Sequence, residues 1–140
     1  MIFLIAVDAN ILMSALLGGT PQRILFDPNF EFITTERTTW EVKRYLPFLA
    51  QKLDLTESEI LSALESLPIT AYQERDYADQ LPIARQLIEA RDPRDVDILA
   101  LALATGAFLW SQDQDFENIG DIIWLTTEEV MEWVAPTSDV

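Results

Sequence analysis

Four stretches of this chain place carboxylates where they could do chemistry. Val7-Asp8-Ala9-Asn10 ends a short apolar run in an acid, and Phe108-Leu109-Trp110 runs into Ser111-Gln112-Asp113-Gln114-Asp115. Between them stand Glu41 and the segment Asp92-Pro93-Arg94-Asp95-Val96-Asp97. Strands that end in acids place charge in the crevice at the carboxyl edge of a sheet, where open α/β folds bind ligands. The sequence contains no histidine and no cysteine. That removes imidazole and thiolate ligands, the cysteine nucleophile, the disulfide and the commonest general base. A cation here must be held by oxygen alone, which selects hard ions such as magnesium, manganese or calcium.

Each acid also has a plainer explanation. Asp8 at a strand-to-helix junction suits an N-cap. Asp92 is better explained as an N-cap than as a ligand, with Pro93 at N1 and Asp95 at N3, where the helix dipole favours an acid. Asp97 lies about 200° round a helix from Asp95, so the two cannot face one site. Asp113 and Asp115 alternate, so one can point inward while the other satisfies turn amides. Glu41 alone reads as a solvated helix residue beside Lys43-Arg44. The set is more specific than its members. If Asp8, Asp95 and Asp113 converge to about 5 Å, each pair repels by roughly 3 kcal/mol at an effective dielectric of 20. Three such pairs, on the order of 10 kcal/mol, rival the stability of a domain. Cations or raised pKa values must relieve the cluster. An oxygen-only site that also takes a phosphate suits Mg²⁺ or Mn²⁺.

Alternating apolar strands and helices must position these acids. A first strand over about Ile2–Val7 leads to a helix near Asn10–Leu17, stopped by Gly18-Gly19. A second strand near Phe30–Thr34 precedes a helix from about Thr35 that Pro47 ends. Thr56 and Glu59 form a capping box for a helix to Leu67, Ile69–Tyr72 is a short strand, and a helix spans about Tyr77–Ala90. The helix from Asp92 is apolar almost all round from Val96 to Ala104, so it is buried, and Gly106 ends it. Phe108–Trp110 and Ile122–Leu125 are the last strands, and Thr126 caps a final helix to about Val134. Continuously apolar strands between helices mean a parallel, helix-covered sheet. The expected architecture is a three-layer α/β domain over 1–135 with a short tail at 136–140.

Composition bounds the partners. The 140 residues are 49% hydrophobic, which suits one globular domain with a real core. No apolar stretch approaches the roughly 20 residues of a membrane helix, and the opening run lacks a basic flank, so the expectation is a soluble cytoplasmic protein without membrane partners. The net charge is −15, all nine bases lie between Arg23 and Arg94, and ten acids follow from Asp95 onward. Simple electrostatic attraction to nucleic acid is therefore disfavoured. Arg37, Lys43, Arg44, Arg91 and Arg94 are the only bases near the expected cleft, and for Arg37, Lys43 and Arg44 ordinary solvation competes with phosphate steering. Trp40, Trp110, Trp124 and Trp133 read as core or dimer-interface residues rather than base-stacking platforms.

The chain resembles the PIN domain, the nuclease family that includes the VapC-type toxins of toxin–antitoxin pairs. The resemblance runs from Ile2 to about Val134. It rests on Val7-Asp8-Ala9-Asn10, Thr39-Trp40-Glu41-Val42, Asp92 to Ala102, and Gly106 to Phe116. It implies a three-layer α/β/α sandwich with a parallel five-stranded sheet of order 3-2-1-4-5. It also implies that Asp8, Glu41, Asp95 and Asp113 form the catalytic acidic quartet, with Asp8, Asp95 and Asp113 as metal ligands for Mg²⁺ or Mn²⁺. Asn10, Ser111 and Asp115 are accessory, Ser111 standing where the family more often has Thr. The implied activity is metal-dependent RNA cleavage by a homodimer, restrained in toxin members by an antitoxin protein. The competing reading is a catalytically weak or inactive module of the same fold that acts by binding a protein partner through its acidic surface. A phosphoryl-accepting receiver or dehalogenase-like phosphatase fits worse, because no lysine follows Lys52 and Asn10 stands where the latter needs an acid.

Overall fold

β1 (Phe3–Val7) is buried along its last three residues, Ile5, Ala6 and Val7, because it lies at the middle of a sheet covered on both faces. The computed structural model describes residues 2–134; the expected tail at 136–140 lies outside them. Helices α1 (Ala9–Leu16) and α2 (Thr20–Leu25) follow, then β2 (Phe30–Thr35), α3 (Glu36–Arg44), α4 (Leu46–Leu53) and α5 (Glu57–Ser66). β3 (Ile69–Tyr72), α6 (Leu81–Ile88), α7 (Val96–Thr105), β4 (Phe108–Trp110), β5 (Trp124–Leu125) and α8 (Thr127–Trp133) complete the order. The five strands are all parallel, in the order β3-β2-β1-β4-β5. This is the three-layer arrangement and strand order that the resemblance implies.

Side-chain alternation divides the core into two layers. Ile5, Val7, Phe32 and Trp110 point to the face covered by α1, α2, α4, α5 and α8, while Ala6, Ile33 and Leu109 point to the face covered by α6 and α7. α7 has apolar residues nearly all round and buries Val96 and the run Ile98 to Ala102. Each fully buried Leu or Ile of this kind stabilises the fold by about 1.5–3 kcal/mol relative to exposure. Strand order reverses at β1, with β2 on one side and β4 on the other. The crevice beyond its carboxyl end is thus the topological switch point of the sheet.

Several boundaries differ from expectation. Pro47 does not end a helix. α3 stops at Arg44, and Pro47 lies in the first turn of α4, where its missing N–H is no loss. α2 begins in the same way, with Pro21 in its first turn behind Gly19 at φ 87°. The helix expected from Tyr77 is a 3-10 turn, Ala78–Gln80, that hands over to α6 at Leu81. Trp40 is not a core residue. It is 45% exposed, whereas Trp110 is fully buried.

Candidate metal centre

The turn from β1 to α1 fixes Asp8. Extended backbone at Asp8 lets one carboxylate oxygen accept the Ile11 amide at 3.0 Å, an N-cap, while its other oxygen accepts from the Ser111 hydroxyl of the chain beyond β4. The buried Thr34 hydroxyl donates to the Val7 carbonyl at 2.8 Å and ties the ends of β2 and β1 together. Burial pushes the Asp8 carboxyl up to about 6; the bonds from Ser111 and Ile11 lower it and the Asp113 charge raises it.

Asp95 is positioned differently from expectation. The first turn after Asp92 is a 3-10 turn, Pro93–Asp95, closed by Asp92 accepting the Arg94 amide at 2.9 Å. α7 proper starts at Val96, so Asp95 is its N-cap residue and not its N3 acid. Its backbone is helical and its carboxylate makes no cap bond. One oxygen, Oδ2, is buried with no hydrogen-bond partner. Burial, followed by the charges of Asp92 and Asp113, pushes this carboxyl up to about 8. Asp97 turns away, as its angular offset predicts, and accepts from the Tyr77 hydroxyl, whose pKa is raised by burial and by that bond.

Ser111 links the two aspartates of the sheet edge. Its hydroxyl donates to Asp8 and accepts the Asp113 amide at 2.9 Å, and its carbonyl accepts the Trp124 indole N–H at 2.8 Å. One Asp113 oxygen accepts the Asp115 amide at 2.9 Å. Asp115 does not line the cavity; its carbonyl accepts from Arg91 at 3.1 Å. From the other wall, α3 buries Thr38 and Val42 and turns Glu41 toward the aspartates. Glu41 Oε1 is buried without a hydrogen bond, and its nearest cation, Arg37 Nε, is 4.0 Å away. Burial raises the Glu41 pKa, and Arg37 and Arg94 act against that rise.

These side chains enclose a cavity of about 60 Å³ whose lining includes Asp8, Asn10, Glu41, Asp92, Asp95 and Asp113. The volume accommodates a few waters or a partly hydrated cation. Asp92, Asp95 and Asp113 each offer a carboxylate oxygen, all within 4.8 Å of one another. The expected quartet therefore shares one cavity, but the three acids in closest reach include Asp92 and not Asp8. Sequence reasoning passed over Asp92 because capping already explained it. It does both, and Arg94 also grips it through Nε at 3.1 Å and Nη2 at 3.2 Å. Burial works to raise the Asp92 pKa, but these Arg94 bonds hold it below the usual value. Oxygen-only donors, two of them buried and unpartnered, fit a hard divalent cation.

A family profile for the PIN domain matches residues 6–133. The chain belongs to the PIN domain family. The fold of this PIN domain is also that of solved structures. VapBC2 from Rickettsia felis, bound to a DNA fragment from its promoter, aligns at a TM-score of 0.71 and 15% identity, over 89% of this chain and 98% of that one. VapBC-1 from nontypeable Haemophilus influenzae aligns at 0.67 and 16%, over 90% and 99%. A toxin–antitoxin complex from Klebsiella pneumoniae aligns at 0.60 and 24%, over 84% and 94%. No curated protein sequence matches the chain significantly. Among the described residues no helix is long and apolar enough to cross a membrane.

Proposed function

We propose that this PIN domain is a divalent-metal-dependent endoribonuclease that acts as the toxin of a toxin–antitoxin pair. The observation that carries the reading is the half-buried Asp95, whose Oδ2 is buried without a partner and whose carboxylate offers an oxygen within 4.8 Å of oxygens from Asp92 and Asp113, in a cavity that Asp8 and Glu41 also line. Asp8, Asp95 and Asp113 would hold Mg²⁺ or Mn²⁺, with Asp92 in reach as a further ligand. When bound, the cation supplies Lewis-acid activation of water and neutralises charge developing on the phosphodiester. Glu41 Oε1 orients the attacking water and accepts its proton, a role suited to a carboxylate whose pKa is raised. Water adds to phosphorus, one bridging P–O bond breaks, and the leaving ribose oxygen takes up a proton from solvent to depart as a hydroxyl. Asn10 lines the cavity and Ser111 holds Asp8 and Asp113 in register, while Asp115 acts only through its amide on Asp113.

The partner side of the reading is supported by the toxin–antitoxin complexes that share the fold. A net charge of −15, with no base after Arg94, suits a basic antitoxin segment. The working form is a cytoplasmic homodimer. The test is cleavage of mixed-sequence single-stranded RNA with Mn²⁺ or Mg²⁺ and with EDTA, by the wild type and by folded Asp8→Asn and Asp95→Asn. Metal-dependent cleavage lost in both variants is the expected result. An inert wild type that also binds no cation would overturn the nuclease reading and leave a binding module.

A further inference from the structure

Arg37, Arg44 and Arg94 face one groove of about 350 Å³ beside the acid cavity, together with Glu41 and Tyr45. Glu41, Tyr45 and Arg94 line both spaces, so the groove opens onto the carboxylates. On α3, Arg37, Glu41 and Arg44 follow at intervals of four and three residues and share one side of the helix, the arginines exposed and Glu41 mostly buried. Trp40 stands between the two arginines. The guanidinium carbon of Arg37 is 4.4 Å from its ring centroid and that of Arg44 is 5.1 Å away. Core packing does not account for this half-exposed indole; holding two guanidiniums does. A guanidinium stacked by its face keeps its in-plane N–H donors free for a phosphate.

These cations are only partly neutralised. Arg44 has no ion pair among the described residues, and Arg37 has a single contact at 4.0 Å. Arg94 is held on Asp92. In a chain of net charge −15, three guanidiniums on one groove are a local attraction for an anion. An acidic peptide would run from this groove into five carboxylates, whereas a phosphate strand can continue onto a cation held there.

We propose that Arg37, Arg44 and Arg94 form the track that binds the phosphates of single-stranded RNA beside the acid cavity, with Trp40 as the positioning residue that holds the first two. The assignment rests on the nuclease reading above. It is tested by fluorescence anisotropy of a short labelled mixed-sequence RNA in EDTA across a salt series, together with cleavage kinetics in Mn²⁺. Arg37→Gln/Arg44→Gln weakens RNA binding about tenfold or more and flattens the slope of log K against log salt by about 1.4, at about 0.7 per phosphate contact. Trp40→Ala raises KM severalfold with kcat kept, and Trp40→Phe restores most of the loss. Mn²⁺ affinity is unchanged in all three. If the wild type cleaves RNA but the double variant keeps wild-type affinity and slope, the track is overturned and the nuclease reading stands. If polyglutamate competes with RNA at equal charge concentration, the groove is an acidic-peptide site and the assignment to RNA fails. A wild type that neither binds nor cleaves RNA overturns both.

Discussion

Asp8 and Asp95 each stand immediately before a helix, and the two helices use them in opposite ways. Asp8 has extended backbone, so its carboxylate folds back to accept the Ile11 amide and also receives the Ser111 hydroxyl. Asp95 is reached through a 3-10 turn, keeps helical backbone, and makes no cap bond. Its Oδ2 is buried without a partner. Both carboxyls are pushed up chiefly by burial, to about 6 for Asp8 and about 8 for Asp95. On the proposed metal reading, the contrast supplies the site with both stiffness and a free ligand. Hydrogen bonds hold the Asp8 carboxylate as a fixed wall, while Asp95 keeps an oxygen free for a cation.

The largest effect that sharpens this contrast is Asp95→Asn. We expect cleavage to fall by about 100-fold or more, while the thermal midpoint of the metal-free protein at pH 8 rises, because a half-buried carboxyl that is partly ionised at that pH has been removed. A fall in both quantities would mean that Asp95, like Asp8, also holds the fold together.

The pH dependence comes next. An unfolded aspartate titrates near 3.8 and the folded Asp8 near 6, so between these values the folded state keeps a proton that the unfolded state sheds. Stability of the metal-free protein therefore falls as pH rises through this window, by up to about 1.4 kcal/mol per pH unit from Asp8. The fall continues, more shallowly because Asp95 is partly solvated, to about pH 8. Cation affinity moves the opposite way and rises until about pH 8. Urea unfolding across this range, with and without Mn²⁺, checks both signs, and Asp95→Asn should flatten the part above pH 6.

Asp8→Ala is a smaller perturbation. At pH 5 the carboxyl is already mostly protonated, so the lost cap dominates and costs about 1–2 kcal/mol, whereas Asp95→Ala at the same pH costs little. Chemical denaturation of the two variants side by side decides whether capping separates them. Ser111→Ala has the least effect, about 1 kcal/mol. It should also move the Asp8 titration upward, because the Ser111 bond lowers that pKa. Carboxyl NMR shifts of Asp8 read this directly.

The parts of the fold that were legible in the sequence depend on local chemistry. The capping boxes at Thr56/Glu59 and Thr126/Glu129 form as the residue spacing predicts, because both partners lie within one turn. The apolar runs of β1 and β4 are strands for the same reason: burial on both faces needs no distant information. Pro47 misled because proline both ends helices and begins them, and only packing decides which. Within the site, Asp8, Asp95 and Asp113 were legible as a set from the residues, Glu41 joined them only through the family resemblance, and the structure brings all four to one cavity. Two details were not legible. The 3-10 turn after Asp92 shifts the start of α7 to Val96 and frees Asp95 from capping. That same turn carries Asp92 into the cluster while it still caps, a double role that residue type alone cannot reveal. The exposure of Trp40 likewise depends on which face of α3 the sheet covers.

The central claim is that Asp95 holds a divalent cation through an oxygen the fold leaves free, with Asp8 as the fixed wall beside it. Calorimetric titration of Mn²⁺ into the wild type, Asp95→Asn and Ser111→Ala at pH 7.5 tests it most directly. The account predicts saturable binding by the wild type, none by Asp95→Asn, and weakened binding by Ser111→Ala. Binding by Asp95→Asn with wild-type affinity would contradict it.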